Sequence, residues 1–327
     1  MKRSTYLWSE VGRMILLLFL TVLIAFLLIT NAPLDPLTSY TGTESTLSDA
    51  AKQEIVDYWG LDDPAPQRFF TWIGHAFQGD LGESITYKRP VTSVIAERFS
   101  YSLVLMLVAW VFSGIFGFLL GVVCGRHQGG IADRILKVFA LAFKSAPTFW
   151  LGLLILTVFS IELGWFPIGM ASSIGVTADE VTFGDKVYHL VLPALTLTLV
   201  SMSDVLLYTR QKFIETMNSD YILYARARGE TEGQIVRRHV LRNISLPAIT
   251  VQFASFSELF GGMALAENVF SYPGIGTATT AAATNGDAPL LMGIALFSAI
   301  FVFVGNLIAN LLYGVVDPRM REGAQHA

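Results

Sequence analysis

Residues 220–247 read DYILYARARGETEGQIVRRHVLRNISLP, a basic segment that lies between two long apolar runs. Its first part predicts a short helix, because Asp220 can cap the start and Gly229 can end it in a left-handed conformation. Ala225 and Gly229 are four residues apart, so on a helix they would share one face with almost no side chain on it. We expect that a partner can approach this face closely.

The second part of the segment predicts another helix. Thr231 and Gln234 have the spacing of a capping box, in which each side chain bonds the other residue's backbone at a helix start. We expect Asn243 and Pro247 to stop this helix before the next apolar run. The segment also carries fixed positive charge, which suits either carboxylates on a protein partner or lipid phosphates. That charge belongs to Arg226, Arg228, Arg237, Arg238 and Arg242.

The composition is that of a membrane protein. The chain has 327 residues, of which 53% are hydrophobic and 15% are charged, and its mean hydropathy is +0.54. A soluble domain of this length is less apolar and more charged. A helix needs about 20 apolar residues to cross a bilayer, and suitable runs occur at 14–29, 102–123, 135–159, 189–207, 249–266 and 289–316. The sequence therefore predicts an all-α membrane protein with six transmembrane helices.

Six spans place both termini on one side of the membrane. Lys and Arg are concentrated at the N-terminus, in the loop after the second run, in the basic segment and in the tail. The positive-inside rule therefore predicts that both termini and the basic segment are cytoplasmic. The expected organisation is a first span in 1–30, an external loop or small lobe in 31–101, a five-span domain in 102–316 that includes the hairpin 220–247, and a cytoplasmic tail in 317–327.

The external loop predicts two helices of its own. Thr46 to Trp59 has helical periodicity, and Gln67 to Phe77 is rich in aromatic residues and predicts a helix at the membrane interface. Such a lobe either rigidifies the outer face or offers a landing surface to another protein.

Three charged residues lie inside predicted spans, where charge is costly and often marks a pathway. Lys144 and Asp204 fall in the same half of the third and fourth spans, so we expect them to form a structural ion pair, with a pathway role as the alternative. Glu258 lies deep in the fifth span, where it would either form a hydrogen-bonded contact between helices or belong to the pathway, and the residues favour neither alternative. Pro147 removes a backbone hydrogen bond and should kink the third span at a hinge or pathway lining.

The segment after the fifth span cannot be a regular helix. Residues 271–276, SYPGIG, predict a tight external turn or a re-entrant element. Glu267 and Asp287 flank this loop, where they would either meet a cationic peptide terminus or metal complex, or be solvated charges at the rim. Cys124 is the single cysteine, which excludes an internal disulfide and indicates inert packing.

The sequence lacks the motifs of common catalytic and nucleotide-binding sites. No Lys follows a Gly, so the phosphate-binding loop GxxxxGK[ST] does not occur, and neither HExxH nor GxSxG is present. The five histidines are scattered without ligand spacing. We therefore expect a protein that is not an enzyme, with no cofactor and no metal in this chain. If ATP drives its activity, a separate subunit must bind the ATP.

The basic segment and several further stretches of the chain resemble the permease subunits of ABC importers, in the dipeptide, oligopeptide and nickel group. Residues 221–247 are similar to the loop that docks on an ATPase subunit, although Leu223 stands where a Glu is usual. The distance from Gly229 to the Ile244-Ser245-Leu246-Pro247 stretch is also longer than in sugar importers, as it is in peptide permeases. Further similar stretches follow in order at GDLGES (79–84), RPV (89–91), PTFWLG (147–152), VFSYPGIG (269–276) and DPR (317–319).

The resemblance implies a permease in the bacterial inner membrane that takes peptides, nickel or a metal chelate from an extracytoplasmic substrate-binding protein. Its implied partners are a second homologous permease, one or two ATPase subunits that hold ATP and Mg, and the lipid bilayer, with no nucleic acid. The residues implied in ATPase docking are Tyr221, Ala225, Arg226, Ala227, Arg228, Gly229 and Glu230. Those assigned to the pathway or its gate are Pro147, Glu258, Glu267, Tyr272 and Pro273.

Two other classes of protein remain open on the residues alone. A secondary transporter or channel would use Lys144, Asp204 and Glu258 as an ion relay, and its basic segment would be only a surface loop. A membrane receptor or scaffold would bind an external partner with the lobe in 31–101.

Overall fold

The structure of the chain is a computed structural model, which describes residues 3–31, 63–173, 175 and 180–316. The predicted helix Thr46–Trp59 and the tail 317–327 lie outside these ranges. The predicted helix Gln67–Phe77 lies inside them and is confirmed, because a helix runs over Ala65–Phe77.

Most of the described chain is helical. The α-helices are α1 Arg3–Thr30, α2 Ala65–Phe77, α3 Val91–Arg126, α4 Ile131–Ser145, α5 Thr148–Leu156, α6 Phe183–Met217, α7 Asp220–Ala227, α8 Glu232–Ile235, α9 Leu241–Ala254, α10 Phe256–Val269, α11 Ile275–Thr284 and α12 Ala288–Val316. Two π-helical segments follow α5 and α8, at Thr157–Glu162 and Val236–Val240. Two short antiparallel strands, β1 Glu83–Ser84 and β2 Arg89–Pro90, form a hairpin before α3.

All six predicted apolar runs fall on helices that suit a membrane. Within the described residues, α1, α3, α6 and α12 are each long and apolar enough to cross a bilayer, and two bent pairs of helices pass the same test. One pair joins α4 to Thr148–Glu162 with a bend of 110°, and the other joins Glu232–Ala254 to α10 with a bend of 50°. The described chain therefore has four spans, or up to six if each bent pair counts as one.

The predicted kink at Pro147 is a full break. Ala146 has an extended backbone, with φ −80° and ψ 133°, and Pro147 stands at the N-cap of α5. The proline ring disfavours helical geometry at the residue before it, which explains why α4 ends there. The Pro147 carbonyl starts the next helix by accepting a hydrogen bond from the Leu151 N–H at 3.1 Å.

The predicted stop at Asn243 and Pro247 is wrong. Helix α9 passes through both residues and ends at Ala254, where the 50° bend follows. Pro247 costs the helix one backbone hydrogen bond, but Ile244 and Ala248 are buried on one side of α9. Burial of that face therefore outweighs the local preference to stop.

The contacts divide the chain into two compact units. Of the described residues, the first unit contains those within 1–101 and 274–304, and the second contains those within 102–273 and 305–327. In the first unit, α2 packs on α1 through a cluster of Val22, Phe26, Phe69 and Met292. The start of α3 packs with α11 and α12 through Val91, Val94, Ile95, Ile275, Ala278, Ala282, Leu290 and Ile294.

Helix α6 is the centre of the second unit, because α4, α5, α9 and α10 all pack against it. On α3, Gly117, Gly121 and Gly125 lie one turn apart and face α6. A Cβ atom at Gly121 would lie 2.6 Å from the Thr209 Cβ and 2.8 Å from the Leu206 carbonyl oxygen. The two helix backbones are therefore too close for any larger residue on this stripe.

Candidate functional site

The basic segment folds as the predicted helical hairpin, residues 220–247, with one change at its start. Ser219 is the N-cap of α7, and Asp220 lies in the first turn, so the predicted cap at Asp220 is off by one residue. Gly229 has φ +81° just after the helix, as predicted for a left-handed end. The capping box is also confirmed, since the Thr231 N–H donates to the Gln234 Oε1 at 2.9 Å and the reciprocal bond is present.

Polar contacts tie the two halves of the hairpin together. Three pairs of side chains lie within hydrogen-bond distance: Arg226 Nε to Glu232 Oε1 (3.0 Å), His239 Nε2 to Glu230 Oε2 (3.1 Å) and Asn243 Nδ2 to Tyr221 Oη (3.0 Å). Exposed ion pairs of this kind contribute at most about 1 kcal/mol each. They fix the register of the two halves and do not by themselves hold the hairpin together.

A small apolar core holds the hairpin together instead. It consists of the buried residues Phe213, Ile222, Ala225, Ile235, Val240 and Ile244. Ala225 is only 3% exposed, so it packs inside the hairpin. The predicted open face shared by Ala225 and Gly229 is therefore wrong, because Ile222 and Ala225 form the inward side of α7.

The outward side of α7 is apolar and aromatic as well as basic. Tyr221, Leu223 and Tyr224 are 46%, 65% and 66% exposed, and Ala227 and Arg228 are exposed beside them. The Arg228 guanidinium carbon lies 5.9 Å from the centre of the Tyr224 ring. We call these five residues the docking face. The exposure of Leu223 and Tyr224 was not predicted from the sequence, although adjacent large apolar residues on a short polar helix are a usable signal of a contact surface.

The hairpin is joined closely to two spans. Only Asn218 and Ser219 separate the end of α6 from α7. On the other side, the helix continues from Glu232 through a π-helical segment to Ala254. Phe213 of α6 belongs to the hairpin core, so the hairpin packs directly on the end of α6.

A buried ionic cluster, which the sequence did not reveal, lies near the same end of α6. The Arg210 Nε and Nη2 donate to the two carboxylate oxygens of Asp133 at 2.6 and 2.8 Å. The Cys124 thiol donates to the same carboxylate at 2.9 Å, and the Gly129 N–H donates at 2.8 Å. Asp133 is 1% exposed. We call this cluster the clasp, because it fastens α3, α4 and α6 together, and it gives Cys124 a role beyond packing.

The three charged residues predicted inside spans meet at one cleft. Lys144 forms the predicted ion pair with Asp204, and Glu258 lines the same cleft of about 380 Å³. The remaining lining residues are Leu207, Tyr208, Val251, Ala254 and Ser255. The pairing is thus confirmed, whereas the role of the pair stays a prediction. The structure also joins Glu258 to the pair, which sequence spacing did not show.

Glu267 and Asp287 are fully buried, so the alternative that they are solvated rim charges is wrong. In the second unit, Glu267 accepts a hydrogen bond from the Ser102 hydroxyl at 2.5 Å. In the first unit, Asp287 accepts from the Ser84 hydroxyl at 2.6 Å, the Thr86 N–H at 2.9 Å and the Leu290 N–H at 3.1 Å. Each carboxylate therefore organises its own unit.

The stretch after the fifth span forms a tight turn, as predicted. Ser271 has φ +47°, and the Tyr272 N–H donates to the Glu267 carbonyl at 2.9 Å. Tyr272 is buried, and after Pro273 the chain enters the short helix α11. The Phe270 carbonyl accepts from the Met170 N–H at 2.9 Å, which ties this turn to the segment after α5.

Metal ligands are not grouped in the part of the chain that the structure describes. No three His, Cys, Asp or Glu side chains lie together there in a way that could hold a metal ion. In the cleft Lys144 pairs with Asp204, and in the clasp Arg210 pairs with Asp133.

Broken spans, a charged cleft and a hairpin attached to two spans are typical of membrane transport subunits. Residues 117–322 match the family described as binding-protein-dependent transport system inner membrane component. The chain belongs to this family. It is a multi-pass permease subunit of a binding-protein-dependent ABC importer in the inner membrane. Such permeases are not themselves enzymes, and they work with ATPase and substrate-binding partners.

Similar proteins align over almost the whole chain. The oligopeptide transport system permease protein AppB of Bacillus subtilis is 34% identical over 306 residues, covering 93% of this chain and 95% of that protein. The di/tripeptide transport system permease protein DppB of Pseudomonas aeruginosa is 32% identical and covers 97% and 98%. The glutathione transport system permease protein GsiC of Escherichia coli is 34% identical and covers 93% and 94%.

A solved structure supports the fold. A chain of the inward-facing MetNI methionine ABC transporter superposes with a TM-score of 0.56 at 16% sequence identity. The match covers 69% of this chain and 97% of that chain. The predicted importer permease fold is therefore confirmed.

Proposed function

We propose that this chain translocates peptides into the cytoplasm, driven by ATPase subunits that dock on the hairpin. The observation that carries the proposal is the docking face on a self-packed hairpin that is joined without a flexible linker to α6 and α9. The names of the similar permeases refer to oligopeptides, di/tripeptides and glutathione. They favour a peptide cargo over nickel or a metal chelate.

Protein contact explains the docking face better than lipid contact does. Leu223 and Tyr224 expose large apolar groups that gain from burial against a partner, and residues 221–247 are similar to the loop that docks on an ATPase subunit in the family. The exposed arginines, including Arg226 and Arg228, supply charge that complements carboxylates around such a contact. Gly229 and Glu230 lie beside the docking face, in the turn between α7 and α8.

The proposed mechanism treats the hairpin as a rigid lever. ATP binding with Mg in the ATPase subunits would bring those subunits together and displace α7. Because the core of the hairpin includes Phe213 of α6, the displacement would tilt α6 and α9 together. The pathway would then alternate between external and cytoplasmic access. This mechanism requires both termini and the hairpin to be cytoplasmic, as the positive-inside rule predicts.

The proposed assembly contains a second homologous permease, one or two ATPase subunits and an extracytoplasmic substrate-binding protein. Lys144 and Glu258 lie on candidate spans and are exposed in this chain alone. Charges in spans normally face protein or a water-filled cavity. A second permease beside this face would shield them from lipid and complete the path.

The docking proposal can be tested by co-purification of the ATPase subunits. Arg228→Glu and Ala227→Trp alter the docking face without entering the hairpin core, so each should weaken ATPase retention and uptake about tenfold or more. Arg134→Glu is the matched control, because it makes the same charge change at an exposed site on α4. Normal ATPase retention and uptake in both docking variants would contradict the proposal.

An ion relay through Lys144, Asp204 and Glu258 is an alternative on the residues alone, and membership of the importer family argues against it. The two functions differ in their energy source. ATP-driven import should continue in vesicles when a protonophore and a sodium ionophore collapse the gradients, provided that ATP is supplied. Uptake that stops under these conditions, with ATP still present, would favour the ion-coupled function.

A further inference from the structure

The cleft of the second unit lies where two helices end. Lys144 is one residue from the C-terminus of α4, and Ala254 and Ser255 lie at the bend between α9 and α10. The last carbonyls of a helix generally have no partner within that helix, although at the bend the Val251 and Gln252 carbonyls accept hydrogen bonds from Ser255. Interrupted membrane helices commonly place such groups around the cargo and ions of transporters. The geometry of the chain therefore favours a binding site at this cleft.

The charges of the cleft do not cancel. The Lys144 ammonium is paired with Asp204. Glu258 is exposed in the same cleft, and the described residues show no ion pair for its carboxylate. The cleft therefore holds one basic and two acidic side chains, so its acidic groups are in excess. A cation is therefore attracted to the cleft and an anion is repelled.

The size and lining of the cleft suit a small polar molecule. Its volume of about 380 Å³ lies within the usual range for small-molecule sites, roughly 300–1,000 Å³. Tyr208 and Ser255 provide hydroxyl groups, while Leu207 and Val251 provide an apolar wall. A short peptide offers the matching groups, a cationic amino terminus and a partly apolar body.

We propose that the cleft is a subsite of the transport pathway, in which Glu258 binds the N-terminal ammonium group of a peptide in passage. The proposal rests on the proposed function, because it takes the cargo to be a peptide. Asp204 has a positioning role. It holds the Lys144 ammonium, and Glu258 is the remaining carboxylate of the cleft.

The electrostatic part can be tested with a single introduced thiol. Cys124 is the only cysteine and is fully buried, so Ser255→Cys adds one accessible thiol to the cleft. In the assembled importer in proteoliposomes, a trimethylammonium methanethiosulfonate should label this thiol faster than a sulfonate methanethiosulfonate. Adding Glu258→Gln should lower the ratio of the two rates about tenfold, because the reagents differ by two charges at roughly 6 Å from the carboxylate in a water-like medium. Glu258→Asp should keep the ratio.

The matched control is Glu215→Gln, which removes a carboxylate from an exposed site on α6 that does not line the cleft. It should leave the ratio of labelling rates unchanged. No labelling by either reagent, or a ratio that does not respond to Glu258→Gln, would overturn the proposal.

Transport supplies the second test. With trialanine as the probe and saturating loaded binding protein, Glu258→Gln should lower uptake about tenfold, the loss expected for one hydrogen bond to a charged group. Glu258→Asp should restore most of it. Co-purification of the ATPase subunits reports assembly of the variant. Unchanged trialanine uptake in an assembled Glu258→Gln importer overturns the subsite, whereas failure of the wild-type chain to retain ATPase subunits overturns the proposed function instead.

Discussion

Removal of one side of the clasp should strongly destabilise the second unit. Asp133→Ala leaves the Arg210 guanidinium, whose side chain is 16% exposed, without either of its carboxylate bonds. It also removes the acceptor of the Cys124 thiol and the Gly129 N–H. Breaking a buried ion pair by removing one partner costs about 3–5 kcal/mol. We expect Asp133→Ala to lower the free energy of unfolding by an amount near the middle of that range, because Arg210 keeps some contact with solvent.

The assay is reversible unfolding of the purified chain in mixed micelles by increasing amounts of a denaturing detergent. Glu215→Ala is the matched control, because it also removes a carboxylate from an ion pair, with Lys212 at 2.8 Å, but at an exposed site. That variant should lower the free energy of unfolding by no more than about 1 kcal/mol.

A double variant separates the buried charge from the packing around it. Asp133→Asn with Arg210→Met removes both charges, so it should recover much of the stability that Asp133→Ala loses. Equal losses for Asp133→Ala and Glu215→Ala would refute the reasoning, because the clasp would then behave as an exposed pair.

Three further substitutions test the packing. Gly121→Val should lower the free energy of unfolding by about 1–3 kcal/mol, because a larger side chain forces α3 away from α6. Gly261 has open space around it, so Gly261→Val should lower it by less than about 1 kcal/mol. Equal losses would contradict the close approach of α3 and α6. Asp287→Ala should cost about 3 kcal/mol, since three donors lose their acceptor, and a loss below about 1 kcal/mol would contradict this. Ala225→Trp should lower the yield of folded protein by disrupting the hairpin core, whereas Ala227→Trp should not. Detergent unfolding measures the first two, and size-exclusion chromatography the third.

Local signals in the sequence predict what depends on a few neighbouring residues. The apolar runs predict the spans, and Gly229 with the Thr231 and Gln234 box predicts the ends of the hairpin helices. The pairing of Lys144 with Asp204 was also predictable, because two opposite charges in the same half of adjacent spans have few other partners.

Features that depend on distant residues were not predictable. Ala225 turns inward because Phe213 and Ile244 complete the hairpin core, and the sequence of α7 does not fix that direction. Helix α9 continues through Pro247 because its buried face outweighs one lost hydrogen bond. The clasp joins Asp133 to Arg210 across 77 residues, and no short pattern in the chain links the two.

Docking of an ATPase subunit on the hairpin can be observed by photocrosslinking at position 224. Tyr224 is 66% exposed, and Tyr188, near the opposite end of α6, is 44% exposed. Benzoylphenylalanine at position 224, in the assembled importer, should give a covalent adduct with the ATPase subunit, and the same group at position 188 should not. An adduct with lipid alone at position 224, in an importer that retains its ATPase subunits, would contradict the account.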